Sequence, residues 1–131
     1  MKKIITFGVF DCFHYGHLKL LERCKKLGDY FVVAVQDDKN SIKNKPGVCL
    51  FYNENQRLEM ISSLKCVDRA ILYTQIDETL KEIDFDVLVV GPDQTNEHFK
   101  KAFDYCANHN KKVVVLSRTP GISSTLIRTK D

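Results

Sequence analysis

The sequence predicts a doubly wound α/β domain of the Rossmann-like kind, with a five-stranded parallel sheet flanked by helices. Three observations predict it. Short β-branched apolar runs alternate with segments that carry apolar residues at helical spacing. The runs are apolar at nearly every position, as strands covered on both faces are. The length, 131 residues, suits one domain, so residues 1–131 are taken as a single unit.

The first expected strand is Lys3–Phe7 (KIITF). Helical spacing follows over His17–Leu27, where Leu20, Leu21, Cys24 and Leu27 share a face. Tyr30–Val35 (YFVVAV) reads as a buried strand. Gln36–Asn53 shows no period and reads as a long loop carrying Lys39, Lys43, Lys45, Pro46 and Gly47. Loops of that length in compact domains are often functional. A helix over Glu54–Leu64 is marked by Asn53 as N-cap and Gln56 three residues on, the pattern of a capping box. Ala70–Tyr73 is the third strand, Thr79–Ile83 a short helix and Val87–Val90 the fourth strand. Asn96–Asn108 is a helix with Phe99, Ala102, Phe103 and Cys106 on one stripe, and Lys112–Leu116 closes the series. Right-handed crossovers put every strand C-terminus on one edge, where ligands of such sheets bind.

Composition excludes several classes. Apolar residues make up 44% and charged residues 28%, the balance of a globular chain. A net charge of +3 is too small to indicate a nucleic-acid partner. No apolar run reaches the length of a membrane span, and no cleavable signal follows Met1-Lys2-Lys3, so a cytoplasmic protein is expected. Cys12, Cys24, Cys49, Cys66 and Cys106 are odd in number and contain no C-x-x-C pair. They read as small buried hydrophobes.

Two segments carry chemistry. The first strand ends in Gly8-Val9-Phe10-Asp11-Cys12-Phe13-His14-Tyr15-Gly16-His17. Histidines at i and i+3 share a face and can point at one spot beside a helix N-terminus, which favours anions. Gly8 and Gly16 allow close approach of backbone to a ligand. A metal site on His14 and His17 lacks further ligands at useful spacing, so no metal is assigned to the protein. After the last strand comes Arg118-Thr119-Pro120-Gly121-Ile122-Ser123-Ser124-Thr125-Leu126-Ile127. Its hydroxyls can cap a helix or hold phosphate oxygens, and its arginine can grip phosphate as a fork.

Together these segments resemble a known family. Gly8–His17 resembles the H-x-G-H signature of the nucleotidyltransferase superfamily, and Arg118–Ile127 is similar to the cytidylyltransferase motif R-T-x-G-I-S-T-T/S-x-I. Lys19–Arg23 and Leu27–Tyr30 also resemble the small bacterial glycerol-3-phosphate cytidylyltransferases. The resemblance implies transfer of CMP from CTP to a small phosphorylated alcohol, with glycerol 3-phosphate as the default acceptor and pyrophosphate as the second product. It implies that His14, His17, Lys45 and Arg118 are catalytic. Gly8, Val9, Phe10, Asp11, Gly16, Asp93, Thr119, Gly121, Ile122, Ser123, Ser124 and Thr125 would bind nucleotide. Lys43 and Arg57 would serve the acceptor, Lys43 being the alternative to Lys45 on phosphate. Mg²⁺ would arrive on the triphosphate with few protein ligands, and a homodimer is expected.

This chain departs from the pattern in three places. Position 9 is Val where Thr or Cys is usual. Gly91-Pro92-Asp93-Gln94 replaces an acidic-acidic-aromatic run. No Trp occurs in the chain and no Lys between Arg69 and Leu80, where the glycerol-phosphate branch places both. Other polyol or amino-alcohol phosphates, an adenylyltransferase of the same fold and a non-catalytic nucleotide-binding module are the alternatives.

Overall fold

The computed structural model describes residues 1–44, 50–92, 94 and 96–116. The elements are β1 (Lys3–Gly8), α1 (Tyr15–Lys25), β2 (Tyr30–Gln36), α2 (Asp38–Asn44), α3 (Glu54–Ser62), β3 (Arg69–Tyr73), α4 (Ile76–Leu80), β4 (Val87–Val90), α5 (Glu97–Asn108) and β5 (Lys112–Val115). The five strands form one sheet in the order β3-β2-β1-β4-β5, and every pairing is parallel. The chain winds outward from β1 in both directions, so the switch point lies between β1 and β4.

The apolar runs are explained by two cores, one on each face of the sheet. Ile4, Phe31, Val33, Val35, Val87 and Val89 pack with Leu21 and Cys24 of α1 and Ile61 of α3. Their strand neighbours Ile5, Val32, Ala34, Leu88 and Val90 pack on the opposite face with α4 and α5, through Ile76, Leu80, Phe99, Ala102 and Cys106. Successive side chains of a strand point to opposite faces, so a strand covered twice has no polar positions to alternate. The one polar residue inside β1, Thr6, donates its hydroxyl to the Val89 carbonyl at 2.9 Å.

The helices agree with expectation in kind, with three differences. α1 begins two residues earlier than the apolar stripe suggests, because His14 caps it. α4 spans Ile76–Leu80 rather than 79–83: Ile76 and Leu80, four apart, are the pair that is buried. α2 lies inside the expected long loop. It carries almost no apolar face, and its one large apolar residue, Ile42, is 48% exposed, so no period marks it. It is held by polar contacts instead: Asp37 accepts the Asn40 N–H at 3.1 Å, and the buried Ser41 donates to Gln36 Oε1. The expected capping box of α3 is present, with Asn53 and Gln56 bonding each other's backbone N–H.

Cys24 and Cys106 are buried as expected, but Cys12 and Cys66 are only half-buried. Burial pushes the Cys24 thiol up to about 12, which makes it inert. Cys49 lies outside the described residues. Among the described residues no helix is long and apolar enough to cross a membrane.

Candidate active site

The turn that leaves β1 is strained. Phe10 and Cys12 have φ of 56° and 51°, the left-handed region that side chains resist at about 1–2 kcal/mol per residue. Such strain persists where the surroundings impose it, and it clusters at functional sites. Here the surroundings are visible. The Phe10 ring is buried and folds back over Gly8, so that a Cβ on Gly8 would meet Phe10 Cζ at 2.8 Å. Gly8 is therefore required by its own chain. Phe10 likewise is a core side chain, and only its backbone is left to face a nucleotide.

His14 and His17 form the first turn of α1 as a capping box. His14 Nδ1 accepts the backbone N–H groups of Gly16 at 3.0 Å and His17 at 3.4 Å. His17 Nδ1 accepts the backbone N–H of His14 at 3.3 Å. The rings stack with centroids 3.8 Å apart, and His17 also packs edge-on against Phe10 and flat against Phe13. Because both Nδ1 atoms accept, each neutral ring carries its proton on Nε2. Burial lowers both pKa values. His17 falls to about 4, through burial first and its His14 neighbour second, against a weaker upward pull from Asp11. Both imidazoles are thus neutral donors near pH 7. His14 Nε2 is buried and has no hydrogen-bond partner among the described residues. A buried donor without an acceptor costs about 1–3 kcal/mol, and an anion's oxygen would remove that cost.

Asp11 is buried, and its Oδ1 accepts the backbone N–H groups of Phe51 at 2.9 Å and Tyr52 at 3.3 Å. It therefore pins the far end of the lysine-bearing loop to the β1 turn. Arg57 completes the same anchor from below. Its side chain has no exposed surface. It donates to the carbonyls of Tyr52, Val9 and Gln36 at 3.1, 2.8 and 2.9 Å and pairs with the Asp38 carboxylate. Glu54 accepts the Asp38 backbone N–H at 3.1 Å and ties α3 to the start of α2. Beside the acceptor-binding role expected of Arg57, its donors are engaged inside the protein, so it organises the C-terminal ends of β1 and β2. Lys43 is exposed on α2, near that anchor in sequence. Val9 contributes the carbonyl that Arg57 holds, and Gly16 is buried at the second position of α1.

At the switch point a residue without an expected role bridges the sheet. Gln94 Oε1 accepts the Gly91 N–H at 2.8 Å, and Gln94 Nε2 donates to the Phe7 carbonyl at 2.9 Å. Its amide spans the ends of β4 and β1, where backbone groups would otherwise face the crevice. Neither this bridge nor Asp38 was legible as functional, since a Gln in a turn and an Asp after a strand are common. Lys45, Asp93, Arg118, Thr119, Gly121, Ile122, Ser123, Ser124 and Thr125 lie outside the described residues.

Among the described residues no three His, Cys, Asp or Glu side chains are placed to hold a metal ion.

A parallel sheet whose strand order reverses between β1 and β4, with neutral imidazole donors at a helix N-terminus on its C-terminal edge, is an arrangement suited to phosphate oxygens. Residues 5–130 match the family described as cytidylyltransferase-like, and the chain belongs to that family. It is a nucleotidyltransferase. It is 39% identical to a glycerol-3-phosphate cytidylyltransferase of Staphylococcus aureus, over 98% of this chain and 93% of that one. It is 38% identical to an FAD synthase of Thermoplasma acidophilum, over 99% of this chain and 94% of that one. Its fold is similar to a crystal structure described as the lipopolysaccharide core biosynthesis protein from Thermoplasma volcanium, with a TM-score of 0.75, 34% identity, and coverage of 91% and 97% of the two chains.

Proposed function

We propose that this protein transfers a cytidylyl group from CTP to a small phosphorylated alcohol, with glycerol 3-phosphate as the default acceptor. A phosphate oxygen of the acceptor attacks the α-phosphorus of CTP, the bond from that phosphorus to the bridging oxygen breaks, and pyrophosphate leaves. The acceptor is already a nucleophile as its dianion, with a second pKa near 6, so no general base is needed. The chain's task is to position two anions and hold the charge that shifts between them.

The observation that carries this reading is the buried, unpartnered Nε2 of His14 beside the stacked ring of His17. Both rings present fixed N–H groups where the phosphates would lie. Their Nδ1 atoms are committed to the cap, so they hold phosphoryl oxygens and do not shuttle protons. Asp11 and Arg57 hold Phe51 and Tyr52 to the β1 turn, Lys45 or Lys43 would reach the same phosphates, and Arg118 to Thr125 would close the site from the last strand. Magnesium, when carried in by the triphosphate, supplies further neutralisation of phosphate charge. The protein would act in the cytoplasm, where CTP is made, as a homodimer whose mass sedimentation would measure.

The relationship to an FAD synthase supports a second reading, in which ATP replaces CTP and FMN is the phosphate ester, since FAD is FMN joined to AMP. One experiment separates the two. Pyrophosphate release is measured with Mg²⁺ and each of the four nucleoside triphosphates against glycerol 3-phosphate, other polyol phosphates, amino-alcohol phosphates and FMN. Release with CTP and a polyol phosphate is the expected result. Release with ATP and FMN alone would replace it with the second reading. No release in any pair, with CTP still bound, would make the protein a binding module.

A further inference from the structure

A further histidine, His98, is paired with a carboxylate at the C-terminal edge of the sheet. His98 Nδ1 and Asp77 Oδ1 are 2.8 Å apart, joining the first turn of α5 to the first turn of α4. Both helices follow parallel strands, so both first turns lie on the C-terminal edge of the sheet. They cover the face opposite α1, whose first turn holds His14 and His17. Gln94, which touches the Phe7 carbonyl at the switch point, precedes His98 by four residues, so the pair and the switch point share the C-terminal edge of the sheet. The side chain of Asp77 is 16% exposed and that of His98 35%, which anchors the carboxylate and leaves an edge of the imidazole reachable.

The tautomer is the informative feature. A carboxylate accepts the Nδ1 proton of His98, so in the neutral ring Nε2 is a bare lone pair. This is the reverse of His14 and His17, whose Nδ1 atoms accept and whose Nε2 atoms donate. Donors suit the oxygens of a phosphate. An acceptor beside a carboxylate suits a hydroxyl. On the α4 side, residues 70–80 contain no Lys or Arg, whereas Lys100 and Lys101 follow His98 on α5.

We propose that His98, oriented by Asp77, is the subsite for the alcohol end of the acceptor, with Nε2 and the Asp77 carboxylate accepting hydroxyl protons of a polyol. The proposal rests on the phosphorylated-alcohol reading above and adds what selects the alcohol. It makes His98 specificity-determining and Asp77 a positioning residue for it.

The test uses the full-length protein, glycerol 3-phosphate, ribitol 5-phosphate and propyl phosphate, which has the same phosphate but no hydroxyl. Binding is followed by the imidazole ¹⁵N resonances of His98 and by calorimetry, neither of which needs turnover. Glycerol 3-phosphate or ribitol 5-phosphate should move the Nε2 resonance saturably, and propyl phosphate should not. His98→Asn keeps an amide N–H for Asp77 but loses Nε2, and should weaken polyol phosphate binding about tenfold, the scale of one lost hydrogen bond. His98→Gln places an amide near Nε2 and should recover most of that loss. CTP affinity and propyl phosphate binding should not change. Equal polyol phosphate binding by His98→Asn and the parent would overturn the proposal, leaving a tie between two helices. So would an equal loss for propyl phosphate, or a resonance that no polyol phosphate moves. Failure of CTP turnover would instead defeat the cytidylyl reading while this titration still gave its answer.

Discussion

Replacing Arg57 by Met should cost the protein more than any exposed charge could. Met roughly conserves the apolar stem and removes the guanidinium. Three carbonyls, of Val9, Gln36 and Tyr52, then lose a donor, and Asp38 loses its partner. The bond to Gln36 is fully buried, so that carbonyl bears most of a cost of about 1–3 kcal/mol for an orphaned group. The other two carbonyls sit at the half-buried edge and recover part of theirs from water. Asp38 is 32% exposed and is also partly hydrated. The sum is about 3–5 kcal/mol, the range for breaking a buried ion pair by removing one member. Urea unfolding followed by circular dichroism would show it. With an m-value of about 2 kcal/mol/M, the midpoint should fall by about 2 M with m unchanged. Arg57→Lys should fall between the two proteins, because one ammonium cannot reach four acceptors spread over the turn after β1, the end of β2, α2 and the loop before α3. If Arg57→Met lowered the midpoint by less than about 0.3 M, the carbonyls would not depend on the guanidinium, and the organising role would be refuted.

Other outcomes follow from the same site. His17 has a folded pKa of about 4 against about 6.5 unfolded, so the unfolded chain takes the proton first as pH falls. Its contribution is whole above about 6.5 and is lost on the way down to about 4, on the order of 3 kcal/mol; a flat urea midpoint between pH 7.5 and 4.5 would contradict this. His17→Ala should lower kcat/KM by about 3–4 kcal/mol of transition-state stabilisation in pyrophosphate-release kinetics, and wild-type kinetics would remove the histidine from the mechanism. Gln94→Glu keeps the acceptor for Gly91 but sets a carboxylate against the Phe7 carbonyl, so the KM for CTP should rise at least threefold while Gln94→Asn, too short to span both strands, does no better. Asp11→Ala frees the Phe51 and Tyr52 amides, and limited proteolysis should then cut the preceding loop faster than in the parent; equal rates would show that the carboxylate does not hold it.

The central strands β1, β2 and β4 were legible because each is covered on both faces, and a doubly covered strand has no polar position to confuse the pattern; the edge strands β3 and β5 keep apolar runs although Leu72 and Val115 are exposed. Ile4 and Ile5, or Val32 and Val33, belong to different cores yet look alike in sequence. α2 was not legible for the converse reason. It packs little, and what holds it is a set of polar bonds that no period reveals: Asp37 to the Asn40 backbone, and Ser41 and Asp38 to the side chains of Gln36 and Arg57. Arg57 shows the limit most clearly. As a charged residue on a helix it reads as a surface ligand, and only the convergence of three carbonyls from distant segments shows that it is an interior strut. That convergence depends on tertiary placement, which spacing along the chain does not encode.

The H-x-x-H spacing has a physical basis beyond a shared helix face. Positions N-cap and N3 are the two that can satisfy each other's backbone N–H groups, and here imidazoles fill the roles usually taken by Ser or Thr and Glu. A carboxylate at N3 would cap as well but would repel a phosphate. A hydroxyl at the N-cap would cap too, but would be too short to reach beyond the turn. An imidazole has a second nitrogen on the far side of the ring, so it can cap with Nδ1 and still present Nε2–H outward. The cap also fixes the tautomer, because the nitrogen that accepts from the backbone cannot carry the proton. One structural demand, ending a helix, thus orients both catalytic candidates and sets their charge state. His98 meets a carboxylate instead of a backbone N–H and takes the opposite tautomer. In the proposed reading the same side chain therefore donates at the start of α1 and accepts at the start of α5, which is the pattern that an acceptor with a phosphate at one end and hydroxyls at the other would need.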